Sequence, residues 1–318
     1  MKSIGGYFEL ELPQGTEYHN QAIALNTGRN ALEYILRVRG YKRVFLPYYS
    51  CEVLLEPFEK LGVETSFYHI NQSLEPEQSV AIKDSEAILY INYFGLKQDF
   101  VTTLAATYGK QLIVDNTQAF YAKPIEGIDT FYSCRKFFGV PDGAYLYCDA
   151  RLDEELEQDH SWERMTHLLK RIDVSAESAY ADFREQSVKL KNNPIKTMSN
   201  LSHRIMASID FSGVAERRRQ NYQFLDAALS NKNGISLPLA TDTVPMVYPF
   251  LTTDQQLRQR LIDNKVYVAT YWPNVLEWVN LASTEYTLAN QLLPIPIDQR
   301  YGEEEIKRIR GLFAYFRV

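Results

Sequence analysis

Cysteine and histidine are scarce in this 318-residue sequence, with three of the former and five of the latter. Cys51, Cys134 and Cys148 are odd in number and spaced for neither a disulfide framework nor a zinc site. His160 and His167 stand seven apart in a polar stretch. Metal ligands on one helix face usually sit three or four apart, so these read as surface histidines and no metal is expected. No apolar run approaches the roughly 20 residues needed to span a bilayer. The start, Met1-Lys2-Ser3-Ile4-Gly5-Gly6, lacks the apolar core of a signal peptide. Basic charge is in deficit: 34 Lys and Arg stand against 40 Asp and Glu, a net charge of −6. That balance offers no electrostatic footprint for nucleic acid or an anionic membrane. Neither G-x-G-x-x-G nor G-x-x-x-x-G-K-[ST] occurs, which argues against standard dinucleotide and P-loop sites. The expectation is a cytoplasmic protein with small-molecule partners, and neither nucleic acid nor membrane.

The chain is ordinary in bulk, with 45% hydrophobic and 23% charged residues, and long enough for about two domains. From about residue 25 to 150, short apolar runs alternate with amphipathic ones. Val44-Phe45-Leu46, 65–68, 87–93, 111–114, 130–132 and 144–148 read as strands. Ala31, Leu32, Ile35, Leu36 and Val38 mark one helix face; Val53, Leu54, Phe58 and Leu61 mark another. This alternation predicts an α/β fold with an open, mostly parallel sheet flanked by helices. Several strands are continuously apolar, as where both faces of a parallel sheet are covered. Residues 151–230 turn helical and charged, with Arg151–Arg171 and Val214–Leu229 the clearest segments. Arg217-Arg218-Arg219 within the second reads as a solvated helix face. Asn231-Lys232-Asn233-Gly234 is a helix stop. Beyond it, strands at 244–248 and 266–271 and helices at 254–263 and 303–316 predict a smaller C-terminal α+β domain. The expected division is therefore 1–230 and 231–318.

Two short segments carry the chemistry. Asp115 ends the apolar run Leu112-Ile113-Val114, which places it at the carboxyl edge of the sheet, where open α/β folds bind ligands. Lys136 follows the next strand, on a turn among Phe131, Tyr132, Phe137 and Phe138, where partial desolvation would lower its pKa. An acid and an amine so placed are the pair that pyridoxal 5′-phosphate (PLP) requires: a lysine bonds the aldehyde, and a carboxylate keeps the ring nitrogen protonated. Gln118 lies within reach of the ring's phenolic oxygen, and Ser133 within reach of the phosphate. Asn26-Thr27-Gly28-Arg29-Asn30 opens a helix and offers unpaired N–H groups to the phosphate. Each has a plainer reading: Asp115 and Thr27 as helix caps, Lys136 as a surface lysine. Tyr48, Tyr49, Tyr93 and Phe94 are candidates to stack on the ring, Tyr49 foremost, or are simply core.

The ordered set resembles the DegT/DnrJ/StrS family of PLP-dependent sugar aminotransferases, of the aspartate-aminotransferase fold (fold type I). The resemblance runs through Thr27-Gly28, Leu46-Pro47-Tyr48-Tyr49-Ser50-Cys51, Leu61-Gly62-Val63, Asn92-Tyr93-Phe94-Gly95, Asp115 with Gln118, and Lys136 with Asp142-Gly143. More weakly it continues through Met198-Ser199 and the helix at 217–225 to Leu293-Pro294-Ile295-Pro296. It implies that Lys136 bonds the cofactor and carries the proton, while Asp115 pairs with the ring nitrogen. It also implies that Gln118 meets the ring oxygen and that Thr27 and Gly28 hold the phosphate. The implied reaction moves an amino group from an amino-acid donor, typically glutamate, to a nucleotide-linked keto-sugar, in a homodimer. Phe131 stands where the family carries a phosphate-binding serine, so Ser133 takes that part by the S-x-x-K spacing of other enzymes of the fold. Ile195 stands where the family supplies an asparagine from the partner subunit. Two other readings remain: a PLP-dependent lyase, aldolase or racemase, and a non-catalytic ligand-binding protein on the same scaffold.

Overall fold

A computed structural model describes residues 4–313. The chain forms strands β1 (Ile23–Leu25), β2 (Arg43–Pro47), β3 (Glu64–Tyr68), β4 (Glu86–Ile91), β5 (Leu112–Asp115), β6 (Asp129–Ser133), β7 (Ala144–Tyr147), β8 (Val247–Leu251) and β9 (Leu292–Pro296). Its α-helices are α1 (Gly28–Arg39), α2 (Glu56–Leu61), α3 (Gln98–Tyr108), α4 (Thr166–Asp173), α5 (Ala176–Lys189), α6 (Asn200–Ala207), α7 (Phe211–Leu229), α8 (Leu257–Asp263), α9 (Val275–Trp278), α10 (Thr284–Gln291) and α11 (Glu303–Gly311).

Seven strands form one sheet in the order β1-β7-β6-β5-β4-β2-β3. From β6 to β3 all pairings are parallel; β7 runs antiparallel to both β6 and β1. Every residue of β4 and β5 is buried, which explains the apolar run that follows Glu86 in one and precedes Asp115 in the other. Each Leu, Ile or Val so buried contributes about 1.5–3 kcal/mol of transfer free energy. Because β1 is parallel to β6 through two reversals, the ends of β1, β2, β4, β5 and β6 all open on the same sheet edge.

The helix after β1 shows why its start lies there. Thr27 caps α1 by accepting the Asn30 amide at 3.1 Å. Gly40 ends it in the left-handed region at φ 65°. Asn26 and Asn30 then donate to the carbonyls of Pro194 and Asn193 at 3.0 and 2.8 Å. The segment before α6 therefore wraps the first turn of α1.

A second core gathers Tyr222, Leu225 and Leu229 of α7 with Tyr248, Phe250, Leu257, Leu261, Leu293, Ile295 and Ile306 around the antiparallel pair β8 and β9. Side chains of α7 thus enter this core ahead of residue 231. Several expectations are corrected. Residues 151–161 are not helical; Asp159 N–H instead bonds the Thr197 carbonyl at 3.0 Å. No strand forms at 266–271; β9 supplies the second strand. Arg218 is 2% exposed, so the arginine run is not a solvated face, although Arg217 is exposed. The end of the expected last helix, 314–316, lies outside the described residues.

After β4 the chain turns tightly, with Phe94 at φ 58° and Gly95 at φ 75°. A Cβ on Gly95 would stand 3.0 Å from the Val244 carbonyl and 3.1 Å from that of Gln118. Both are backbone atoms that cannot swing aside. Gly40 shares the left-handed conformation with nothing within 4 Å of its Cβ position. Gly95→Ala is therefore expected to lower unfolding stability by about 1–3 kcal/mol. Gly40→Ala should cost less, about 1 kcal/mol, in paired denaturant titrations.

Candidate functional site

The residues singled out in the sequence largely converge on the carboxyl edge of the sheet. Asp115 pairs in register with Phe131, so the ends of β5 and β6 are adjacent. The helix start at Gly28 approaches both: a Cβ there would lie 3.4 Å from Thr117 Cγ2 and 3.8 Å from the Phe131 ring. Phe131 thus packs beside α1, where no hydroxyl is available, and only a glycine-sized residue at 28 leaves that approach unfilled.

Asp115 is 5% exposed. It is not a helix cap, because no helix follows β5; its Oδ1 accepts the Thr117 amide at 2.8 Å and closes a local turn. Burial pushes its pKa up, opposed by the positive charge of Lys136 and by hydrogen bonds from Thr117. Lys136 is exposed in the single chain rather than desolvated as expected, and it forms no ion pair among the described residues. Its charge acts on Asp115.

Behind these two groups lies a ladder of buried amides. Asn92 Nδ2 donates to Asn116 Oδ1 at 3.0 Å, and Gln118 Oε1 accepts the Phe94 amide at 2.8 Å. The other end of Gln118, Nε2, is buried with no hydrogen-bond partner among the described residues. A buried unpaired donor costs about 1–3 kcal/mol, which is tolerable where a ligand acceptor completes it.

The remaining candidates divide. Thr27 spends its hydroxyl on Asn30 Oδ1, at 2.6 Å. Arg29 commits its guanidinium to Glu56 Oε2, also at 2.6 Å. Ser133 is half-buried at the end of β6, before the turn that carries Lys136. Tyr49 is 0% exposed and packs against Tyr93 and Trp272, with ring centroids at 5.7 and 4.9 Å. It belongs to the core, and its hydroxyl has no partner among the described residues.

Two residues named in the sequence have structural roles that the sequence reading does not give them. Asp142 is fully buried and accepts from the Ser199 amide at 3.0 Å, the Ser199 hydroxyl at 2.7 Å and the Ser202 hydroxyl. It pins the start of α6 to the loop after Lys136. Arg218 lines, with Lys136, a cavity of about 290 Å³ whose walls include Met246, Tyr267, Tyr271, Pro296 and Asp298.

The raised pKa of Asp115 has a sign that can be tested. A group whose folded pKa is raised stabilises the fold fully below its unfolded pKa. That contribution is lost as pH climbs through the folded value. The ligand-free protein should therefore lose stability over that range, and Asp115→Asn should remove the loss and melt higher above it. Thermal scans of the two proteins across mildly acidic to neutral pH read the difference.

No protein-family model matches this sequence, and no curated protein sequence matches it. Solved structures do. The sugar aminotransferase CalS13 from Micromonospora echinospora superposes with a TM-score of 0.63 at 15% identity, covering 92% of this chain and 87% of that one. Spr1654 from Streptococcus pneumoniae, in its PLP form, gives 0.63 at 15% identity over 92% and 86%. A point mutant of the GDP-4-keto-6-deoxymannose-3-dehydratase ColD, with bound GDP-perosamine, gives 0.62 at 15% identity over 92% and 87%. At such identities the likeness is one of fold, and the chain has the α/β fold, aspartate-aminotransferase type, that these proteins share.

Proposed function

We propose that this protein is a PLP-dependent aminotransferase that moves an amino group from an amino-acid donor, glutamate, to a nucleotide-linked keto-sugar. The observation that carries the reading is geometric: Asp115 is buried at the carboxyl end of β5, opposite Phe131 of β6, and Lys136 lies on the short turn that follows β6. A neighbour of the same fold in a PLP form supports the cofactor, and one with bound GDP-perosamine supports the substrate class.

The residues present fit the cofactor. Gln118 Nε2 is a buried donor lacking an acceptor, suited to the phenolic oxygen. The first turn of α1 offers the backbone N–H groups of Gly28 and Arg29 to the phosphate, with Thr27 and Ser133 beside them. Arg29 would act through its amide alone, since Glu56 holds its guanidinium. When bound, PLP supplies an electron sink for the carbanion at the substrate α-carbon. Asp115 would hold a proton at the ring nitrogen, where low exposure strengthens its pull. Lys136, with no carboxylate at ion-pair distance among the described residues, would bond the aldehyde and carry the proton to and from the α-carbon. Phe137 and Phe138, 3% and 5% exposed, wall the turn that presents it.

We also propose a homodimer. Trp162, Ile172, Val174 and Val188, on or beside α4 and α5, are 65–82% exposed, an apolar display that suits a second copy.

Purified protein mixed with PLP is expected to show a visible absorption band that Lys136→Ala abolishes. Glutamate added without acceptor should yield 2-oxoglutarate in a single turnover, which a lyase would not give. Asp115→Asn should keep the band and lower turnover by about 10²-fold or more. A wild-type protein that stays colourless contradicts the reading.

A further inference from the structure

Arg135 stands between Ser133 and Lys136, on the turn that follows β6. It is half-buried, and its guanidinium has no hydrogen bond, ion pair or ring contact among the described residues. Every other described arginine that is not exposed donates to a carboxylate or to a backbone carbonyl. Partial withdrawal of a guanidinium from water without a partner is costly, so an anion that meets it gains what the free protein forgoes.

The turn is tied to the start of α1. The Gly143 carbonyl accepts the Cys134 amide at 3.0 Å, and the Gly143 amide donates to the Asn26 carbonyl at 2.7 Å. Arg29 lies on the first turn of that helix, and Arg164, just before α4, reaches Asp142 at 3.7 Å. Burial first, then the charges of Arg29 and Arg164, push the Arg135 guanidinium down to about 10, against the pull of Asp142. It stays charged at neutral pH. The carboxylates around it are already engaged. Glu56 accepts from Arg29 at 2.6 Å and from the Asn192 amide at 2.7 Å. Asp159 accepts from both terminal nitrogens of Arg164, at 3.3 and 2.7 Å, and Asp142 from the hydroxyls of Ser199 and Ser202. Arg164 Nε, also buried, has no hydrogen-bond partner among the described residues.

The seat that the first turn of α1 offers a phosphate is otherwise short of positive charge. Glu56 holds the Arg29 guanidinium, the Thr27 hydroxyl donates to Asn30 Oδ1, and Phe131 has no hydroxyl to give. Backbone amides and Ser133 would be left to meet a dianion. We propose that Arg135 supplies the positive charge for a phosphate group seated on the first turn of α1. This assignment rests on the aminotransferase reading above, under which the phosphate is the cofactor's. A planar guanidinium holds phosphate oxygens with paired, directional hydrogen bonds that a lysine cannot reproduce.

Inorganic phosphate titrated calorimetrically into protein free of PLP should bind. Arg135→Gln should weaken it about tenfold or more, and Arg135→Lys should recover part of the loss. Followed against concentration, the visible band should form more readily with PLP than with pyridoxal, which keeps ring and aldehyde but has no phosphate. Arg135→Gln should narrow that gap about tenfold or more and leave the pyridoxal midpoint unchanged. Phenylglyoxal, which modifies accessible guanidinium groups, should label Arg135 in wild type; phosphate or PLP should protect it, and pyridoxal should not. That arm decides even if Arg135→Gln fails to fold. Undiminished phosphate binding by a folded Arg135→Gln, or no protection of Arg135, overturns the assignment. A PLP preference that survives Arg135→Gln overturns it as well, because another group then serves the cofactor's phosphate. A colourless protein whose phosphate binding needs Arg135 upholds the site and rejects the cofactor; a coloured one in which Arg135 affects neither phosphate nor PLP does the reverse.

Discussion

A carboxyl group buried at the end of a parallel strand, opposed by a single positive charge, is the constraint on which the site depends. Asp115 loses hydration by ending β5 inside the sheet, and it recovers part of that loss from Lys136 and from Thr117. The register between β5 and β6 sets how far apart the two groups start, since Asp115 lies opposite Phe131 and the chain needs only one short turn more to reach Lys136. The neighbouring strand is tied in as well: the Asn92 amide donates to the Asp115 carbonyl at 3.0 Å. A shift in any of these three strands would move the acid.

The rest of the molecule fixes what surrounds this pair. Asp142 anchors α6, and the stretch before α6 covers the first turn of α1 through Asn26 and Asn30. Gln118 reaches across to the turn after β4, whose Phe94 carbonyl accepts the Met246 amide at 2.8 Å. By that bond the sheet edge is joined to the segment entering β8. Arg218 makes the same connection from the other side, as its guanidinium holds the carbonyls of Pro245 and Met246. The cavity lies along this seam, walled by the turn after β6 on one side and by β8 and β9 on the other.

Much of this is legible in the residues. The apolar runs Ala87–Ile91 and Leu112–Val114 are strand residues buried on both faces of the sheet. Asp115, Gln118 and Lys136 stand out by their position after such runs. The failures have physical causes. β1 is three residues long and gains its identity from pairing with β7, which no local pattern reveals. The stretch 151–161 has helical composition, yet pairing with Thr197 takes its backbone bonds. Arg218 is misread from its charged neighbours, although 218, 222, 225 and 229 share one helix face with three residues of the second core. That spacing is the available signal. Tyr49 shows the converse: an aromatic residue beyond the end of β2 that the core absorbs.

Whether Lys136 faces a PLP ring paired with Asp115 is tested most directly by borohydride reduction of the protein with PLP, followed by peptide mapping. One stable label is expected, on residue 136, at close to one per chain. Label spread over surface lysines, or found on a lysine remote from the end of β6, would contradict it.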